Sequence, residues 1–149
     1  MDTPQPSLPQ KGEALITEFL TKEGISFGES DLSPKLKLIP VHTKGGTINL
    51  KLSVSANQVF GVFRTLKNIQ NVYMVYIWNI YNAEETVVYA MSFKAAIEIA
   101  AELGWTRSEA WKQPNGGHST SKPSERLLKA LEPYRYTSDN LSTLLRTRQ

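Results

Sequence analysis

The chain has 149 residues, enough for one domain with its own hydrophobic core, and ordinary fractions of hydrophobic (40%) and charged (21%) residues. It has no cysteine, which excludes disulfides and cysteine zinc sites. It also lacks the glycine-rich phosphate loop of nucleotide hydrolases and the nucleophile elbow of serine hydrolases. The net charge of +3 and the isoelectric point near 9.1 favour a polyanionic partner.

The N-terminal segment, residues 1–10, contains three prolines and no Lys or Arg, so we predict a disordered leader rather than a signal peptide. Nowhere in the sequence does an apolar run approach the roughly 20 residues that span a membrane. These features predict a cytoplasmic protein without a membrane partner.

Residues 11–23 are predicted to form an amphipathic helix, because apolar residues recur along one helical stripe and Gly24 follows as a C-cap. The stripe consists of Leu15, Ile16, Phe19 and Leu20. Residues 25–29 are predicted to form a short edge strand.

Residues 34–53 are predicted to form two antiparallel strands that reverse at the pair Gly45-Gly46, where glycine permits a tight turn. In the second strand apolar and polar residues alternate, which predicts a half-buried strand. Its inward positions are Ile48, Leu50 and Leu52.

The first strand of this hairpin is predicted to place Leu36 and Leu38 on the apolar face and Lys35 and Lys37 on the other. Lys51 of the second strand belongs to the polar face. The hairpin is therefore expected to have one side dense in lysine.

After the hairpin the spacing predicts a helix over residues 55–68. Residues 71–79 are almost continuously apolar and are bounded by asparagines, which predicts a central strand buried on both faces. Residues 86–91 are predicted to be its partner strand.

Residues 114–123 are rich in Pro and Gly and are predicted to be a loop. A helix capped by Ser121 or Ser124 is predicted over residues 125–131. Residues 138–149 are predicted to form one marginal C-terminal helix.

A helix capped by Ser92 is predicted to lead into residues 98–110, which are similar to the core of a helix-turn-helix. That motif places a small residue, here Ala100, four positions before the turn glycine, here Gly104, and opens its second helix with a hydroxyl residue, here Thr106. Its groove-facing candidates are Arg107, Ser108 and Lys112.

The basic residues are concentrated in the C-terminal third. From residue 105 to the end there are eight Lys and Arg and four Asp and Glu, a net charge of +4, whereas the rest of the chain carries −1. Trp111, Tyr134 and Tyr136 lie among these cations, a mixture suited to phosphate contacts with some stacking. The other interpretation is that the aromatics dock a C-terminal helix on the sheet. Arg126 and Lys129 are predicted to face outward.

The order of elements, with Lys11-Gly12-Glu13 opening a helix before the lysine-rich hairpin, resembles the PD-(D/E)xK nuclease superfamily over residues 12–135. The resemblance implies an α+β or α/β fold, with a mixed central sheet of four to five strands flanked by helices as in restriction endonucleases. Residues 11–136 would form this domain, and residues 137–149 a C-terminal helix and tail.

The same resemblance implies an Asp on the first strand and a Glu-x-Lys triplet on the second, which hold Mg²⁺ and position the attacking water. In one register these positions fall near Lys37 and on residues 51–53. In a second register the triplet is residues 49–51 and the acid is Asp31. Both registers are short of carboxylates, and lysines at these positions would repel a divalent cation and attract phosphate.

The first hypothesis is therefore a DNA-binding protein on a nuclease-like scaffold, without metal-dependent cleavage and without a cofactor. Its partner would be double-stranded DNA, and it could form a homodimer or higher oligomer. The nucleic-acid-binding candidates are Lys35, Lys37, Lys51, Arg107, Lys112, Arg126 and Lys129.

Two alternatives remain open, so the sequence does not decide whether the protein is an enzyme. One is an active, restriction- or homing-like DNA endonuclease that uses Glu13, Asp31, Asn49 and Lys51, with Glu13 and Asp31 binding Mg²⁺. The other is a protein-interaction or assembly module in which the lysines only aid solubility.

Overall fold

A computed structural model describes residues 8–22, 24–28, 38–43, 46–63, 71–82, 84–113 and 116–136. The predicted helix over residues 138–149 lies outside these ranges, as do Asp31, Lys35 and Lys37. Within the described ranges no helix has both the length and the apolarity to cross a membrane.

Thirteen elements follow one another along the described chain. They are α1 (Leu8–Lys22), β1 (Leu38–Thr43), β2 (Gly46–Val54), β3 (Phe60–Phe63), β4 (Val72–Trp78), β5 (Val87–Ser92), α2 (Phe93–Glu102), a 3-10 turn (Trp105–Arg107), α3 (Glu109–Lys112), β6 (Gly117–Thr120), α4 (Glu125–Leu131), a second 3-10 turn (Glu132–Tyr134) and β7 (Arg135–Tyr136).

The main sheet has the strand order β1-β2-β4-β5-β7, in which β2 and β4 run parallel and the other neighbours are antiparallel. β7 contributes only two residues. A second, two-stranded sheet pairs β3 with β6. The prediction of a mixed sheet flanked by helices in an α+β protein is confirmed.

The central strand β4 is buried along its whole length, as its apolar sequence predicts. Asn71 and Asn79 flank it at φ angles of 56° and 57°, a left-handed conformation that asparagine tolerates better than most residues. The left-handed backbone at the two asparagines therefore interrupts the extended conformation at both ends of the strand.

One face of the main sheet, which we call the α1 side, is covered by α1. Ile16, Phe19 and Leu20 of the helix pack on strand residues such as Leu50 and Val75. The predicted helical stripe is confirmed. The predicted edge strand is reduced to a bridge between Phe27 and Val41.

The other face, which we call the Lys51 side, is covered by the β3–β6 sheet together with α2 and α4. Two buried side chains of β4 tie the small sheet to the main one. The Tyr76 hydroxyl donates to the Gly61 carbonyl at 2.7 Å, and Trp78 Nε1 donates to the Val59 carbonyl at 2.7 Å. The polar ends of both aromatics are thus satisfied in the core.

The prediction that Leu38 shares the apolar face of the hairpin with Leu50 is wrong. Leu38 lies directly opposite Lys51, and Ile39 opposite Leu50, so Leu38 belongs to the Lys51 side. The hairpin turn pairs Thr43 with Gly46, and a register set in this way fixes the face of every residue.

Two further predictions fail around the small sheet. Of the helix predicted over residues 55–68 the structure describes residues 55–63, which contain β3 and no helical turn. The loop predicted over residues 114–123 contains β6. Phe60 and Val62 both point into the core with a period of two, which is the spacing of a strand.

The C-terminal helices begin at the predicted serines. Ser92 Oγ accepts a hydrogen bond from the Ala95 amide at 3.1 Å, and Ser124 Oγ accepts one from the Leu127 amide at 3.2 Å. Side-chain caps of this kind satisfy amides that have no partner within the helix. α4 has the predicted bounds, Glu125–Leu131.

The helix-turn-helix prediction is wrong in its second helix. After Gly104, which has a φ of 82°, the chain forms a 3-10 turn and then α3, a helix of four residues capped by Ser108 rather than Thr106. Trp105 packs against Phe60, with 5.7 Å between ring centroids. The segment therefore serves the core and does not present a recognition helix.

Candidate nucleic-acid interface

Lys51 lies within β2, between Leu38 of β1 and Met74 of β4, both of which are buried. Directly opposed residues point to the same face, so the lysine stem runs between apolar neighbours. The side chain is half-buried. With the residues that the structure describes, it makes neither a hydrogen bond nor an ion pair.

This environment affects the charge of Lys51. Burial lowers the pKa of the Lys51 ammonium below its ordinary value, because the charged form loses hydration. No carboxylate offsets that loss within the described part of the chain. The result is a partly desolvated cation that an anionic oxygen would stabilise.

The structure brings only some of the catalytic candidates together. Asn49 and Lys51, two residues apart on β2, share the Lys51 side. Glu13 lies on α1, which covers the opposite face of the sheet. Asp31 lies outside the described residues.

A magnesium site needs several oxygen ligands, preferably carboxylates, held close together. Among the described residues no three His, Asp or Glu side chains form such a group. Asn49 and Glu13 are carried by elements on opposite faces of the sheet, since Asn49 shares the Lys51 side and α1 covers the other face. Among the described residues, the ligands that the family resemblance implies are therefore not gathered at one place.

The C-terminal cations are carried by elements on the Lys51 side and are exposed. Arg107 folds back over the 3-10 turn, with Nη2 3.2 Å from the position that a Cβ would take at Gly104. Lys112 Nζ lies 3.5 Å from a carboxylate oxygen of Glu109, an exposed pair worth little energy. Arg126 and Lys129 lie on the outer surface of α4.

These residues belong to a stretch with an excess of positive charge. Residues 105–136 contain six Lys and Arg and three Glu, a net charge of +3. A surface of this sign attracts polyanions and is sensitive to salt. Lys35 and Lys37, the remaining nucleic-acid candidates, lie outside the described residues.

One exposed aromatic side chain was not predicted from the sequence. Phe63, at the end of β3, is 46% exposed although its strand neighbours Phe60 and Val62 are fully buried. Because a helix was predicted over residues 55–68, the outward position of Phe63 in a strand was not expected. The signal that could have revealed it is the alternation of large residues with Gly61.

Comparisons of the chain with protein-family models, with curated proteins and with solved structures found no significant match.

Proposed function

We propose that the protein binds double-stranded DNA through Lys51 and the exposed cations of the elements that cover the Lys51 side of its sheet, and does not cleave it with a metal ion. The resemblance of the sequence to PD-(D/E)xK nucleases supports a scaffold that once held a catalytic site. The proposal includes the cytoplasmic location predicted from the sequence.

The observation that carries the proposal is the environment of Lys51. A half-buried lysine between Leu38 and Met74, with no acidic partner among the described residues, is costly to the folded protein because its charge is partly desolvated. A phosphate oxygen would supply both the missing negative charge and the missing hydrogen bonds. An anion-binding role explains why a lysine, rather than an apolar residue, occupies this position.

Duplex DNA is favoured over a small anion because the positively charged side chains lie on several elements of the structure rather than at one point. Arg107, Lys112, Arg126 and Lys129 are carried by three further elements on the same side of the sheet. Cations spread in this way suit a ligand with many regularly spaced phosphates, and phosphate contacts supply most non-specific affinity for DNA.

The proposal excludes metal-dependent cleavage because of the oxygen ligands that the described residues offer beside Lys51. Metal-dependent hydrolysis of a phosphodiester requires carboxylates beside the lysine. The described residues place the amide of Asn49 on the side of Lys51, whereas the carboxylate of Glu13 is carried by the helix on the other face.

The experiment is fluorescence anisotropy of a labelled DNA duplex in EDTA, titrated with wild-type, Lys51→Met and Lys22→Met proteins. Methionine keeps the length of the lysine stem and removes its charge. Lys22 is an exposed lysine of α1, so Lys22→Met makes the same chemical change on the opposite side of the sheet.

We expect wild-type and Lys22→Met proteins to bind similarly and Lys51→Met to bind about tenfold more weakly, as for the loss of one charge-assisted hydrogen bond. Equal affinities of all three proteins would remove Lys51 from the interface. No binding at low salt would refute the proposed function.

A further inference from the structure

The outward face of the β3–β6 sheet carries the exposed Phe63. Because strand residues alternate, Phe60 and Val62 point into the core while Gly61 and Phe63 point away from it. On the partner strand, Gly117 lies opposite Phe63 and Ser119 lies opposite Gly61. Two of the four residues on this outward face therefore have no side chain.

The ring of Phe63 lies across the space that these glycines leave open. A Cβ at Gly117 would collide with Cδ1 and Cε1 of the ring, and the ring atom Cε2 is 3.6 Å from the Cβ position at Gly61. One edge of the ring thus rests over Gly117 and another part reaches toward Gly61. We call Phe63, Gly61 and Gly117 together the Phe63 platform.

The backbone beneath the platform is held firmly. Gly61 is fixed from below by its carbonyl, which accepts the 2.7 Å hydrogen bond from the buried Tyr76 hydroxyl. Phe60 packs on Tyr76, with ring centroids 4.7 Å apart. The backbone that carries the ring is therefore held in place before any ligand arrives, which lowers the conformational entropy that binding costs.

The charge around the platform suits an anionic ligand. Neither β3 nor β6 contains an acidic residue. α3, which packs against β6, carries both Lys112 and Glu109, but the stretch 105–136 to which α3 and β6 belong has a net charge of +3. His118 of β6 stacks on Trp105, with ring centroids 4.3 Å apart, and Arg107 ends the turn that Trp105 begins.

We propose that the Phe63 platform stacks an unpaired base of single-stranded nucleic acid, while the neighbouring cations contact its phosphates. This inference deepens the proposed function and rests on it. In a duplex both faces of every internal base are already stacked, whereas a single strand can offer a base to an aromatic ring. The platform therefore adds, to the duplex binding proposed above, a contact with unpaired bases in single-stranded or locally opened regions.

The test compares two labelled oligonucleotides of about 12 nucleotides, a length within the usual site size for such proteins. One is oligothymidylate and the other is an abasic strand with the same number of phosphates. Anisotropy is measured with wild-type protein, Phe63→Ala, Phe63→Leu and Phe63→Trp. Tyr81→Ala is the matched control, because Tyr81 is an exposed aromatic (51%) that lies beside Lys11 of α1.

We expect wild-type protein to bind oligothymidylate about 5- to 100-fold more tightly than the abasic strand, the range measured for loss of one base–aromatic stack. Phe63→Ala and Phe63→Leu should remove this difference, and Phe63→Trp and Tyr81→Ala should keep it. Because Phe63→Leu keeps an apolar side chain of similar size, its result separates stacking on a ring from simple apolar contact.

If the wild-type protein binds both strands equally, or if Phe63→Ala keeps the preference, the platform does not stack bases. If the stacking proposal fails in this way but Lys51→Met still weakens binding to duplex DNA, the proposed function remains supported. If neither strand nor the duplex binds at low salt, both proposals are wrong.

Discussion

Lys51 of β2 lies directly opposite Leu38 of β1, so a charged side chain and a fully apolar one are neighbours on the same face of the sheet. An apolar residue at position 51 would continue the buried surface between Leu38 and Met74. The lysine therefore has a cost for stability, which gives a way to separate its structural role from a role in binding.

The first prediction is that Lys51→Met stabilises the protein although it weakens DNA binding. Removing a partly desolvated ammonium should raise Tm, by roughly 2–4 °C for each 1 kcal/mol gained in a chain of this size. Thermal unfolding at neutral pH checks this. Lys22→Met is expected not to raise Tm, since Lys22 lies in the last turn of α1, where a cation is favourable. A fall in Tm for Lys51→Met would mean that the ammonium has a stabilising partner in the folded protein.

The second prediction concerns the buried Tyr76. Burial raises the pKa of its phenol above the ordinary value of 10.0, so the unfolded chain ionises first as the pH rises. Stability from this group is complete below pH 10 and is lost above it, by about 1.4 kcal/mol per pH unit. Burial acts in the same direction on the pKa of Tyr89.

Urea unfolding between pH 8 and 11 measures this loss, and Tyr76→Phe is the test variant. At neutral pH that variant should be less stable by about 1–3 kcal/mol, because the Gly61 carbonyl loses its hydrogen bond. Above pH 10 its stability should fall less steeply than that of the wild type. Parallel curves for the two proteins would contradict the prediction.

The third prediction is that the protein leaves DNA intact in the presence of divalent metal. Supercoiled plasmid incubated with Mg²⁺ or Mn²⁺ should stay supercoiled, since no three His, Asp or Glu side chains come together among the described residues. Nicking that disappears in a Lys51→Ala protein would instead establish the endonuclease alternative, with Glu13, Asp31 and Asn49 as the other candidates. Nicking that survives this substitution would indicate a contaminant or a different site.

The fourth prediction concerns the cap of α4. Ser124→Ala removes the side-chain oxygen that accepts from the Leu127 amide and should cost about 1 kcal/mol. Ser121, the other serine that the sequence offered as a cap, is exposed and lies outside the helix, so Ser121→Ala should change stability little. Equal effects of the two substitutions on Tm would mean that the Ser124 side chain does not stabilise α4 as a cap.

The parts of the fold that were predictable are those decided by neighbouring residues. Ser92 and Ser124 mark helix starts because a cap is a contact three residues along the chain. The strand between Asn71 and Asn79 is readable because its apolar run and both its ends are local.

The parts that were missed depend on residues distant in sequence. β3 is a strand because Phe60–Phe63 pairs with Gly117–Thr120, and neither segment signals its partner. Leu38 was assigned to the wrong face because the register is set at Thr43 and Gly46, and a shift of one residue inverts every side chain.

The candidate site was also predictable only where it depends on residues close together in sequence. Asn49 and Lys51 follow from the alternation of a single strand, which the sequence shows directly. The Phe63 platform joins two segments more than fifty residues apart and exists only because Gly117 leaves room for the ring of Phe63. No local pattern contains that relationship.

The measurement that tests the central claim most directly is the salt dependence of duplex DNA binding, compared between Lys51→Met and Lys22→Met proteins in EDTA. If Lys51 contacts a phosphate, the slope of log affinity against log salt should be shallower by about one in Lys51→Met and unchanged in Lys22→Met. Identical slopes for the two variants and the wild type would contradict the assignment of Lys51 to the interface.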